Sequence, residues 1–199
     1  MQVDSRVFKN ALGTPSLNSY ISPVSGFLRF VGITNAAIWF GAGIFFAAGI
    51  LPAVFSQDMR NIFHESGDPY YSGSVALVLF RHYFGLQYIC GTIAVLHLLA
   101  EKFYSGRALP RFGTALVLAM FAFGLWGGLW LQPRMESLRQ TMYFGRIQEQ
   151  KDHARHVFGL WHGVSEAANL LVLGGLLTHL TRVSRQAQPG RHGLFYQIP

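Results

Sequence analysis

The chain has 199 residues, of which 51% are hydrophobic, 15% aromatic and only 13% charged, a profile that excludes an ordinary water-soluble domain. Lys and Arg number 16 against 9 Asp and Glu, for a net charge of +7. The basic residues sit mostly outside the apolar stretches, which marks membrane loops rather than a nucleic-acid surface, and the single cysteine, Cys90, excludes an internal disulfide framework.

Residues 1–26 form a polar, turn-rich segment containing Gly13, Pro15, Pro23 and Gly26. With no charged stretch followed by a short apolar core, no cleaved signal peptide is expected there. Residues 27–51 carry one charge, Arg29, at the edge of the run, and at 1.5 Å per residue about 25 residues cross a hydrocarbon core of ~30 Å. This is the first span, closed by Pro52. Residues 74–100, which include Arg81, His82 and His97, form the second, and residues 114–131, between Pro110 and Pro133, the third. Beyond Pro133, Met135, Leu138, Met142 and Phe144 recur near helical spacing among Arg, Glu and Gln, the pattern of an amphipathic helix continuing past a kink. Residues 158–181 are the fourth span and residues 183–199 a polar tail.

The expected fold is therefore all-α: a polytopic, multi-pass four-helix bundle with an amphipathic helix between spans three and four, and both termini on one side. Arg6, Lys9, Arg29, Lys102, Arg107, Arg111, Arg182, Arg185 and Arg191 fall on the side of the termini, against Arg60, Arg134, Arg139, Arg146, Lys151 and Arg155 on the other. That bias places the termini in the cytoplasm, and the default membrane for so compact a chain is a bacterial inner membrane. Gly41 and Gly43, the Gly124 and Gly128 pair, and Gly163 with Ala167 are close-approach positions, expected to serve packing within the bundle. Trp39, Trp126, Trp130 and Trp161 anchor at interfaces or fill the core.

Charge inside a span is costly, so ionisable groups at bilayer depth are the candidate functional residues. Arg81 on the second span and Glu166 on the fourth lie at similar expected depth, which permits them to pair. His82 adjoins Arg81, while His162 and Asn169 share a helical face with Glu166. Ser165 and Gln87 complete this intramembrane polar cluster. One use is structural, with Arg81 and Glu166 neutralising one another and His162 and Asn169 fixing helix register. Another is axial ligation of a single non-covalent b-type haem by His82 and His162, with Arg81 near a propionate. A second haem on His97 and His179 is not expected, because the two histidine steps turn in opposite senses by roughly 60° and 100°. His64, Glu65, Asp68, Asp152, His153 and His156 are ligands by type in the first and third connections, but without metal-site spacing they predict a solvated face and no metal. Motifs for nucleophilic or nucleotide chemistry are absent from the sequence, and Cys90 among apolar neighbours reads as an inert thiol.

The stretches IWFGAGIFFAAGILPAVF, RHYFGLQYICGTIAVLHLLAE, LWLQPRMESLRQ and WHGVSEAANLL together resemble the transmembrane protein 205-like family, over roughly residues 30–182. The resemblance rests on Trp39, Gly41, Pro52, Pro133, Arg134, His162, Gly163, Ser165 and Asn169. It implies a four-span helical membrane protein of unknown function. Arg81, His82 and Glu166 are not part of that pattern. Three roles remain open. The first is a non-enzymatic scaffold, accessory subunit or transport-related component without cofactor, with the lipid bilayer, another membrane protein or a second copy as partner. The second is the haem redox protein, and the third a small proton-linked carrier using Glu166 and His162.

Overall fold

The computed structural model describes residues 23–63, 69–105 and 109–186. The N-terminal segment up to residue 22, the tail from residue 187, and His64, Glu65 and Asp68 lie outside the described residues. All regular structure within them is helical: α1 (Pro23–Phe45), a π-turn (Phe46–Ile50), α2 (Leu51–Val54), α3 (Gln57–Ile62), α4 (Pro69–Ser105), α5 (Arg111–Trp126), a second π-turn (Gly127–Leu131), α6 (Gln132–Phe144) and α7 (Gln148–Gln186). Among the described residues, four continuous helices are long and apolar enough to span a membrane: Gly26–Val54, Tyr70–Tyr104, Arg111–Phe144 and Gln148–Arg185. Hereafter these are spans one to four.

The four predicted spans are all present, but three of them extend well beyond the apolar runs that announce them. Span one does not stop at Pro52. A proline lacks the N–H that an α-helix needs there, and the chain widens into a π-turn just before it, with the Leu51 N–H bonded to Phe46 O. Span three uses the same device, its Gln132 N–H reaching Gly127 O immediately before Pro133. The amphipathic segment is thus a direct continuation of span three. α7, with 39 residues, is roughly 58 Å long at 1.5 Å per residue, about twice the hydrocarbon thickness. Its polar first turns are supported by Gln148 donating to Asp152 at 3.1 Å and by Arg155 against Asp152 at 3.6 Å. They pair with α6 in an antiparallel hairpin.

Spans one and three each pack against spans two and four, which therefore stand on opposite corners of the bundle. The core takes residues from every span: Trp39 from the first, Cys90 and Ala94 from the second, Val117 and Met120 from the third, and Leu176 from the fourth. Trp39, Val117 and Leu176 are the largest fully buried side chains. Polar bonds tie span one to span two within this layer. Asn35 donates to Cys90 O at 2.9 Å, and His97 Nε2 donates to Leu28 O at 2.8 Å.

The small residues divide into two groups. Gly43, Gly124 and Gly128 face inward, with Leu173, Gln87, and Phe84 with Tyr88, respectively, beside the space a Cβ would occupy. Gly41 and Gly163 have nothing within 4 Å of that space, and Ala167 is exposed, so the expected internal packing role does not hold for these three. A Cβ at Gly128 would sit 2.9 Å from Phe84 Cγ. Gly128→Ala should consequently lose about 1–3 kcal/mol by overpacking, whereas Gly163→Ala should gain up to about 1 kcal/mol of helix propensity. Thermal unfolding of both variants in one detergent checks this, and equal shifts would remove the distinction between the two faces.

Candidate functional site

A cleft of about 140 Å³ opens between the four spans, lined by residues of each. Both π-turns border it. Phe46 and Leu51 come from the first and its C-terminal flank, Gly127 and Leu131 from the second. A π-turn is a one-residue widening of the helix, frequently found at functional sites. Here each coincides with a proline two residues beyond it, so a carbonyl one turn earlier lacks its usual helical donor.

The cleft walls are aromatic. On one side Phe46 stacks on Tyr83 at 4.3 Å and meets Phe80 edge-on at 5.0 Å, while Phe80 and Phe84 lie 6.2 Å apart. On the other, Phe123 and Trp126 line the space, and Trp126 continues through Trp130 to Trp161 at 5.8 and 5.1 Å. The floor is polar. Trp39 Nε1 donates to Gln87 Oε1, and Gln87 Nε2 donates to Tyr83 OH at 2.5 Å.

Span four supplies the remaining polar wall through His162, Ser165, Glu166 and Asn169. Spacing of four residues puts His162 and Glu166 on one helical face, and His162 Nε2 lies 3.1 Å from Glu166 Oε1. Their side chains are 56% and 67% exposed, so the pair stands at the mouth of the cleft rather than in its depth. The Ser165 hydroxyl is committed to His162 O at 2.7 Å. Phe158 stacks on the His162 ring at 6.1 Å.

The structure brings Gln87, His162, Ser165, Glu166 and Asn169 to one cleft, and leaves Arg81 and His82 outside its lining. Glu166 pairs with His162, and Arg81 is exposed with no ion pair among the described residues. Depth alone suggested an Arg81–Glu166 pair. The opposite-corner placement of spans two and four separates the two helices instead. His82 Nδ1 sits 2.9 Å from Val78 O of its own helix, so the two histidines considered as axial ligands do not line a common space. Among the described residues no three His, Cys, Asp or Glu side chains gather as metal ligands. Asp152, His153 and His156 are exposed on the first turns of α7.

Two residues escape a reading of the sequence alone. Tyr83 is one turn before Gln87, a spacing visible in the sequence. Arg139, expected among the cations outside the spans, is buried, donating to Tyr70 O at 2.9 Å and Ser74 Oγ at 3.0 Å with its guanidinium over the Tyr70 ring at 4.8 Å. It clamps α6 to the start of span two.

Residues 35–144, more than half of the chain, match a family described as a domain of unknown function, DUF4149. The chain belongs to the DUF4149 family. That match takes in the aromatic walls, both prolines and Gln87, while His162 and Glu166 lie beyond it. No curated protein and no solved structure matches the chain.

Proposed function

We propose that this DUF4149 chain is a non-enzymatic, transport-related component of a bacterial inner membrane, with cytoplasmic termini, in which Glu166 and His162 exchange protons at the mouth of the cleft. The observation that carries this reading is the convergence of two proline-linked helix irregularities, one in each half of the bundle, on a single cleft that carries the His162–Glu166 contact. A π-turn within an otherwise continuous helix is frequently found at functional sites, and ionisable groups within spans mark ion pathways. The resemblance to the transmembrane protein 205-like family implies four helical spans and adds no activity.

The test is proton movement in proteoliposomes carrying an entrapped pH-sensitive dye under an imposed potential. Wild-type protein should dissipate a pH gradient faster than empty vesicles, and Glu166→Gln should remove most of that rate, by about 10²-fold on the scale of lost proton-transfer groups. Equal rates for wild type and Glu166→Gln would overturn the reading.

A second role, as accessory subunit or self-associating scaffold, draws support from the exposed face of span four. Gly159 and Gly163 have open space around them, and exposed Ala167 lies beside the charged pair. Such small-residue faces admit a neighbouring helix closely. Mild-detergent native electrophoresis of the wild type and Gly163→Leu separates this role from the first, since disrupted association with unchanged proton flux assigns the face to assembly alone.

A further inference from the structure

We propose that the cleft binds a small monovalent organic cation of the alkylammonium class, with Glu166 as counter-charge and the aromatic walls as its cage. The inference deepens the transport reading above and rests on the cleft being the working site. Its basis is the charge and ring inventory of the lining. Six aromatic side chains, Phe46, Phe80, Tyr83, Phe84, Phe123 and Trp126, surround the space, and among the described residues Glu166 is the one carboxylate in its lining. No Lys or Arg among the described residues lines it, so an anion finds no strong partner there apart from His162.

Ring faces attract cations through their quadrupole, most strongly where water is excluded, and quaternary ammonium groups are the ligands such cages recognise. A weakly hydrated alkylammonium also suits the bilayer better than a metal ion, which would need several oxygen donors. Among the described residues no cluster of metal ligands forms here. The volume of about 140 Å³ is below that of drug-sized sites, which start near ~300 Å³. It therefore selects a headgroup-sized cation.

His162 gives the site a coupling device. When neutral, it leaves the Glu166 charge available to the ligand. When protonated, it neutralises that charge across the 3.1 Å contact. From span two the titratable group in the described lining is Tyr83, and spans one and three contribute none.

Isothermal titration calorimetry of the full chain in mild detergent, with choline as probe, tests the proposal. Its neutral isostere 3,3-dimethylbutan-1-ol serves as the comparison. Choline should bind at least about tenfold more tightly than the isostere. Glu166→Gln should weaken choline by at least about tenfold, and Trp126→Leu should weaken it severalfold. Glu166→Asp, which keeps the charge, should retain binding and so controls for folding.

Equal affinity for choline and its isostere would overturn the cation assignment, as would no choline binding at millimolar concentration or undiminished binding by Glu166→Gln. The two readings fail separately. Proton flux without choline binding removes the ligand class and leaves the carrier, whereas choline binding without proton flux leaves a receptor-like site and removes the carrier.

Discussion

Trp39→Ala should be the most destabilising single substitution in the bundle, costing about 3–5 kcal/mol. Trp39 is 1% exposed and belongs to the core shared by all four spans. In a bilayer little hydrophobic transfer energy is at stake, because the unfolded helices already sit in hydrocarbon. The loss instead comes from dispersion contacts left without partners around the emptied volume. A second component comes from Gln87, whose Oε1 loses its donor while Nε2 still reaches Tyr83. Trp39→Phe keeps a six-membered ring in place but removes the indole N–H together with the rest of the fused ring, so pairing it with a change at Gln87 is what separates the hydrogen bond from packing. A double-mutant cycle of Trp39→Phe with Gln87→Leu, measured by unfolding in mixed micelles, should yield a coupling of about 0.6–1.7 kcal/mol, the range of interhelical hydrogen bonds in membranes. Additive effects would show that the indole contributes packing alone.

The existence of four spans was legible in the sequence because apolar runs of about 20 residues have few other uses in a chain of this composition. Their lengths were not. Hydropathy stops at the polar turns of α7, which stay helical through Gln148, Asp152 and Arg155 and through docking against α6. Arg139 is missed for a different reason: a cation on the amphipathic helix after Pro133 is expected to face water, yet the Tyr70 carbonyl and ring and the Ser74 hydroxyl give it a buried seat. In the polar cluster, spacing along one helix was reliable and spacing between helices was not. His162 and Glu166 meet because a single helix fixes their geometry. Arg81 and Glu166 were matched in depth alone, and depth says nothing about which corner of a bundle a helix occupies. The π-turns had a sequence signal that went unread, since Gly49 precedes Pro52, and Gly127 and Gly128 precede Pro133, within apolar helices.

Those prolines yield the second large effect. Pro52→Ala and Pro133→Ala each restore an N–H where the chain now widens into a π-turn. An interior helical proline costs about 3 kcal/mol relative to alanine, but the native backbone has already relaxed around it. A gain of about 1–3 kcal/mol per site is therefore expected, with the double variant unfolding at a clearly higher temperature. Regular α-geometry would turn Phe46 and Leu51, or Gly127 and Leu131, away from the positions in which they now line the cleft. Proton flux in proteoliposomes should consequently fall severalfold as stability rises, the trade expected when irregular backbone serves a site. Pro110→Ala is the control, because Pro110 sits in extended backbone at the N-cap of α5 and is absent from the cleft lining. A stabilised double variant with undiminished flux would reduce both π-turns to packing adjustments. Lower stability with lower flux would mean instead that the prolines are required by the fold itself, and that the cleft's shape follows from the bundle rather than from the turns.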